Sequence, residues 1–383
     1  MTRVKRIALS LVLILAFAGC NKQQAPKASN STASAIASAL PVSGPFTPQE
    51  LPQFAALDPI DTHTHAFQDA PALYAMLKRL NLHTLDITLV DDFDPETKNL
   101  TKERKDAWAV VHHSDGYIAM CSTFDPFKYN QPNFAADQNR GINQDFSHGA
   151  VAVKIWKNVG MEIKDAKGNY IMPDNPVFEP IFKNIQAHNK TLIAHLADPN
   201  TIWEAPNPKA ADYGYYMQHP ELYMYTKHGA PSKASILVAR DHVLEANPNL
   251  RVVGAHLGSM EADFNQLAQH LDKYPNFAVD LAARMPYVEM QPRAALIAFI
   301  TKYQDRLIYA TDNELFAADN PLDTMKEWEA RYANDWRFFA TNDVVEYNGH
   351  KAQGLALPQP ILRKLYHDNA VKWFPGILEP VSH

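Results

Sequence analysis

Leu57-Asp58-Pro59-Ile60-Asp61-Thr62-His63-Thr64-His65 is the stretch on which the reading turns. On a β-strand, residues two apart point to the same face. His63 and His65 therefore project their imidazoles together from the C-terminal end of one strand. Two neutral imidazoles converging there are half of a metal site.

The segment 60–65 is the first of eight strand-like apolar runs. The others are 84–90, 117–124, 150–156, 191–197, 251–257, 277–283 and 306–312. Helical candidates lie among them at 71–80, 102–114, 176–189, 232–246, 261–273 and 292–303, and another, 360–374, follows the eighth run. Eightfold β-then-α alternation predicts an α/β fold, a parallel (β/α)8 TIM barrel. A doubly wound open sheet is the alternative. The count of eight, and the lack of Gly-x-Gly-x-x-Gly after the first run, count against it. The segments 198–231 and 313–358 are too long to be plain connections, so long insertions are expected after strands 5 and 8, on the face where barrels place their sites. The first carries Trp203 and five tyrosines, and the second is rich in Trp, Tyr and Phe. These aromatics suit pocket walls or lids, and equally suit simple packing of the insertions against the barrel.

The strand ends carry the chemistry. Besides His63 and His65, the fourth run ends in Lys154, the fifth in His195, the sixth in His256 and the eighth in Asp312. Ala152, Ile193, Gly254 and Ala310 share their faces two residues earlier, and mostly small partners suit a crowded barrel interior. The same parity turns Asp280 inward on the seventh run. Each residue alone has a plain structural explanation: a hydrogen-bonded histidine, a capping aspartate, a paired lysine. Together, four histidines, a lysine and an aspartate at the ends of strands one, four, five, six and eight are costly to bury without mutual pairing or a metal.

This constellation resembles the amidohydrolase superfamily of metal-dependent barrel enzymes, from about Asp58 to the C-terminus. It is closest to the amidohydrolase-related branch that includes aminocarboxymuconate semialdehyde decarboxylase-like enzymes. Ala152-Val153-Lys154-Ile155-Trp156-Lys157, Ala255-His256-Leu257-Gly258, Val279-Asp280-Leu281-Ala282-Ala283-Arg284 and Tyr303-Gln304-Asp305-Arg306 support it. The resemblance implies that His63, His65, His195 and Asp312 hold one divalent metal. Zinc suits such ligands, with manganese or iron as alternatives. It implies a bound water whose pKa falls towards roughly 7, with Asp312 accepting its proton and His256 polarising the substrate or acting as general acid/base. In some branches a carbamylated lysine on the fourth strand bridges two metals, and Lys154 and His256 would then join the ligand set. The nearer branch has one metal, leaving Lys154 to contact substrate. Asp280 is either a partner that fixes a ligand tautomer or a structural hydrogen-bonding group. Trp156 and Arg284 sit where substrate would bind, Arg284 offering a planar fork to a carboxylate. Lys157, Ser259, Asn313 and Glu314 lie at the same face.

The N-terminus reads differently. Arg3, Lys5 and Arg6 precede an apolar run over 7–18 that is too short for a comfortable membrane span and has the layout of an export signal. Leu15-Ala16-Phe17-Ala18-Gly19-Cys20 resembles a bacterial lipoprotein signal, although Phe17 departs from the usual small aliphatic residue; an ordinary cleaved secretory signal is the alternative. The resemblance implies acylation of Cys20. Asn21 in place of Asp implies the outer membrane of a Gram-negative bacterium. The expected organisation is a signal at 1–20, a flexible tether and barrel lead-in at 21–56, and the barrel at 57–383. Beyond Cys20 only Cys121 remains, so no intrachain disulfide supports the barrel and its core must suffice.

The formal net charge is −6 and the body carries no basic run, which argues against nucleic acid as a partner. The expected partner is a small-molecule substrate, with membrane contact only through the lipid anchor; a homo-oligomer is compatible with the sequence. The leading functional reading is metal-dependent hydrolysis of an ester, lactone or amide. Its rival is a metal-dependent non-oxidative decarboxylase acting on a small carboxylated substrate. A third reading is an inactive binding lipoprotein that has kept the barrel.

Overall fold

The computed structural model describes residues 44–91, 97–210, 212–347 and 349–381. The expected signal, Cys20 and most of the tether lie outside them. Nine strands form one sheet in the order β8-β7-β6-β5-β4-β3-β2-β1-β9. They are β1 (Ile60–Ala66), β2 (His83–Ile87), β3 (Ile118–Thr123), β4 (Ala152–Ile155), β5 (Thr191–Ala194), β6 (Arg251–Gly254), β7 (Phe277–Asp280), β8 (Leu307–Ile308) and β9 (Asn313–Leu315). Every pairing within this sheet is parallel. The strands are buried almost throughout, which is why they read as apolar runs rather than alternating ones.

The sheet curls because the last run serves two neighbours. β8 pairs with β7, and β9, after four intervening residues, pairs with β1. Between them Thr62 N–H donates to the Tyr309 carbonyl at 3.2 Å and Asp312 N–H donates to the His63 carbonyl at 2.9 Å. The result is an α/β fold with a curled nine-strand parallel sheet, consistent with a TIM-like barrel.

Several runs stop earlier than their sequence suggests. β6 ends at Gly254, because His256 and Leu257 take left-handed φ values of +59° and +57°. Ala197 at +69°, Ser259 at +58°, Ala283 at +51° and Asp312 at +64° make comparable kinks. These conformations are uncommon for residues with a Cβ, and hydrophobicity does not announce them. The eighth run is therefore split, with Asp312 in the break.

Helices α1 (Pro71–Leu80), α2 (Leu100–His113), α3 (Phe134–His148), α4 (Glu179–Ala187), α5 (Lys233–Ala246), α6 (Phe264–Lys273) and α7 (Arg293–Lys302) follow β1 to β7 in turn. α3 is absent from the sequence-based expectations. Its buried face includes Gln138 and Asp145 beside Phe134, Ile142 and Phe146, so its apolar periodicity is diluted. Gln138 accepts from the Asp125 N–H, and Asp145 accepts from Arg104, Trp108 and Ser122.

The segment after β5 folds into short 3-10 turns and a helix, Tyr213–Gln218. After β9 comes α8 (Pro321–Ala340), capped by Asn320, and then a hairpin of β10 (Val344–Tyr347) and β11 (His350–Gln353). Trp328, Tyr332, Trp336, Phe338 and Phe339 of α8 are buried, so these aromatics pack; Tyr215, Tyr225 and Phe316 are exposed. Arg337, buried on α8, clamps the lead-in. Its guanidinium donates to the carbonyls of Gly44 and Pro45 at 2.8 and 2.7 Å and to both carboxylate oxygens of Glu50 at 2.7 Å. Among the described residues no helix is long and apolar enough to cross a membrane.

Candidate metal centre

Four imidazoles and a carboxylate meet at the C-terminal ends of the strands. β1 delivers His63 and His65. His63 Nδ1 lies 3.0 Å from Asp280 Oδ2. A carboxylate only accepts, so Nδ1 carries the proton and Nε2 presents its lone pair. His65 Nδ1 donates to the Ile87 carbonyl at 2.7 Å, leaving its Nε2 free of a proton. His256 Nδ1 donates to the Ala282 carbonyl at 2.9 Å. His195 differs: its Nε2 faces Asp198 Oδ1 at 3.2 Å, and its Nδ1 faces His256 Nε2 at 3.2 Å.

Asp312 completes the group. Its Oδ1 lies 3.3 Å from His63 Nε2 and 3.7 Å from His65 Nε2, and its side chain is 26% exposed. Ligand atoms of His63, His256 and Asp312 all fall within 4.8 Å of one another. Of the expected ligands, these distances bring His63 and Asp312 together, with His65 beside Asp312. His195 stands one imidazole away, against His256. Asp280 binds two members at once: besides His63, its Oδ1 accepts from the His256 backbone N–H at 2.7 Å.

Lys154 Nζ is 2.9 Å from His63 Nε2. Burial pushes the Lys154 amine down, against the opposing pull of Asp312. Burial also holds His65, His195 and His256 well below the ordinary imidazole range, so they stand neutral, the form that binds metals. For Asp312, burial acts to raise the pKa, but the charge of His256, His63, His65 or Lys154, whenever one of them carries its proton, outweighs burial and holds the carboxyl low.

The donor set fits a divalent cation. In each imidazole one nitrogen is committed to an acceptor, and the other presents a lone pair inward. His195 Nδ1 and His256 Nε2 stand 3.2 Å apart, close enough to share a proton or to face one cation. Imidazole nitrogens with one carboxylate suit zinc, manganese or iron.

At the rim, Trp156 meets His195 edge-on, with ring centroids 6.3 Å apart. Arg284 is buried; its Nη1 donates to the Ala283 carbonyl at 3.1 Å, and its Nε lies 3.8 Å from Glu261 Oε2. Ser259 donates to the Ala197 carbonyl at 2.8 Å, Asn313 is buried and Glu314 is exposed. Sequence reasoning missed Asp198, which follows His195 by three, and Asp61, which precedes His63 by two. Asp61 is fully buried and accepts from the His63 and Thr311 N–H groups at 3.1 Å, from Thr311 Oγ1 at 2.5 Å and from the Tyr332 hydroxyl at 2.8 Å. Desolvation nevertheless raises it to about 6. The strand parity that flagged Asp280 could have flagged Asp61.

A curled parallel α/β sheet with histidines and an aspartate gathered at its strand ends defines a class, the metal-dependent barrel enzymes. The chain belongs to the amidohydrolase family: the model described as "Amidohydrolase" matches residues 60–376. It is thus an enzyme of the amidohydrolase superfamily, whose members are metal-dependent. No curated protein matches the chain. Among solved structures it is similar to 5-carboxyvanillate decarboxylase from Sphingomonas paucimobilis (15% identity, 83% of this chain and 99% of that one, TM-score 0.48). It is also similar to 2,6-dihydroxybenzoate decarboxylase from Rhizobium (13%, 82% and 98%, TM-score 0.46). A third is 4-oxalomesaconate hydratase from Rhodopseudomonas palustris (12%, 83% and 96%, TM-score 0.46).

Proposed function

We propose that the chain is a metal-dependent non-oxidative decarboxylase of a small carboxylated substrate. The observation that carries this reading is Lys154. It is 1% exposed, and among the described residues the one hydrogen-bond partner of its Nζ is His63 Nε2. A buried lysine nitrogen held beside the centre, with Arg284 at the rim, offers N–H donors to a substrate carboxylate.

A divalent cation held by His63, His65, His195 and Asp312 would supply Lewis-acid polarisation and fix the orientation of the substrate. The chain's own residues do the rest. Lys154 and Arg284 bind the carboxylate. The bond from the carboxyl carbon to the substrate carbon breaks, carbon dioxide leaves, and the electron pair left behind takes up a proton. His256 Nε2 is the atom placed to pass that proton. Because burial keeps this ring neutral at rest, it takes the proton from substrate or solvent and holds it briefly.

Hydrolysis of an ester, lactone or amide is the second reading. Asp312 favours it: this partly exposed carboxylate, held low, is placed to accept a proton from an attacking water. A panel of aromatic and aliphatic carboxylates, lactones and esters separates the two. Carbon dioxide release supports decarboxylation, and acid release without carbon dioxide supports hydrolysis. On its N-terminal sequence pattern we further propose export, with a lipid anchor on Cys20.

A further inference from the structure

We infer that Asp198, pinned by Lys157, is a positioning residue that fixes which nitrogen of His195 faces the centre. This inference rests on the proposed metal site. Asp198 shares its two oxygens: Oδ1 lies 3.2 Å from His195 Nε2, and Oδ2 accepts from Lys157 Nζ at 2.7 Å. All three side chains are buried. Lys157 also lies over the Trp156 ring, 5.4 Å from its centroid, and that ring meets the edge of His195. The ion pair therefore fixes both the charge and the direction of the Asp198 carboxylate.

The backbone sustains the arrangement. The strand ends at Ala194, and Ala197 turns with φ +69°, which brings Asp198 back against His195 three residues earlier. Ser259 Oγ donates to the Ala197 carbonyl at 2.8 Å and ties that turn to the one that follows the sixth strand.

A carboxylate cannot donate, so the neutral His195 ring must place its proton on Nε2. The Nδ1 lone pair then faces His256 Nε2, whose ring has already spent its proton on the Ala282 carbonyl. Without Asp198 the alternative tautomer becomes available. His195 Nδ1–H would then donate to His256 Nε2, and the pair would satisfy itself with a hydrogen bond. Asp198 bars that closure, keeps the His195 Nδ1 lone pair as an acceptor for a cation and leaves His256 Nε2 free to take up a proton. Partners of this kind typically change metal affinity by about 10–100-fold.

The test uses the full chain as wild type, Asp198→Ala, Lys157→Met, Lys157→Arg and, as a control for the centre, His63→Ala. Two quantities are measured. One is the zinc dissociation constant, by competition with a chromophoric chelator. The other is the His195 tautomer in metal-free protein, from the nitrogen shifts of 15N-histidine-labelled samples assigned with His195→Gln. The expected result is an Nε2–H tautomer in wild type that is lost in Asp198→Ala. Zinc binding should weaken about 10–100-fold in Asp198→Ala and several-fold in Lys157→Met, with recovery in Lys157→Arg. An Nδ1–H tautomer in wild type overturns the inference, as does wild-type affinity in Asp198→Ala. If Asp198→Ala fails to fold, Lys157→Met and the wild-type tautomer still decide. Wild-type protein that binds no zinc while showing the Asp198-dependent tautomer instead defeats the metal reading and leaves the positioning role standing.

Discussion

Asp280 holds His63 by its ring: Oδ2 receives the Nδ1 proton at 3.0 Å, in a pair almost wholly withdrawn from solvent. The same carboxylate receives the His256 backbone N–H through its other oxygen. One side chain on the seventh strand thus sets the aim of an imidazole on the first and the place of an imidazole after the sixth. Asp280→Asn replaces one acceptor oxygen by a donor. Metal affinity should fall about 10–100-fold. Titration of the purified variant with zinc against a chelator checks this, and undiminished affinity would contradict the assigned hydrogen bonds.

His256→Asn removes the proton-passing nitrogen. Turnover should fall about 10²–10⁴-fold, with one equivalent of metal retained. Metal content by plasma emission, measured beside activity, checks both halves. A fall from two equivalents to one would show a binuclear centre with Lys154 as its bridging residue.

Glu289 makes stability depend on pH. It is 4% exposed, neither carboxylate oxygen has a hydrogen-bond partner among the described residues, and burial, followed by the Asp335 charge, pushes it up to about 8. In the unfolded chain it titrates near 4.3. Between these values the folded protein holds a proton that the unfolded chain has lost, so this group's contribution to stability declines as pH rises from about 4.3 to about 8. Glu289→Gln should flatten that decline and raise the unfolding midpoint at pH 9. Urea melts of both proteins at pH 5, 7 and 9 provide the measurement; parallel curves would show that Glu289 does not titrate there.

Gly254 ends the sixth strand two residues before His256. A Cβ there would stand 2.6 Å from Phe277 Cζ and 2.8 Å from Gly258 Cα. Gly254→Ala should cost about 1–3 kcal/mol by overpacking and loosen the loop carrying His256. Thermal unfolding and zinc affinity should both worsen; a variant unchanged in both would mean that the turn gives way without cost.

Cys20 supplies the prediction for the N-terminal segment. Expressed in a Gram-negative host fed radiolabelled palmitate, the full chain should take up label and Cys20→Ala should not. Labelling of both, or of neither, removes the lipid anchor.

The first-strand pair, the order of the strands and the polar strand ends were legible because parallel strands buried on both faces leave apolar runs with chemistry at their tips. α3 was not, since Gln138 and Asp145 are buried through hydrogen bonds that sequence periodicity does not weigh. The left-handed turns at His256 and Asp312 escaped for a related reason: tertiary partners hold those conformations, and the residue types do not demand them. Asp198 sits in plain view after His195-Leu196-Ala197, yet only the turn at Ala197 shows that it folds back against the ring.

The Arg337 clamp has a mechanical consequence. The first described residues, Gly44 and Pro45, are fastened through their carbonyls to α8 rather than to the first strand. A pull from the N-terminal side is therefore resisted first by one guanidinium and the Glu50 pair, in a helix outside the sheet. The histidines of β1, about twenty residues further along, are insulated from that load. A pull on the lead-in would load α8 before it reached the strand that carries His63 and His65.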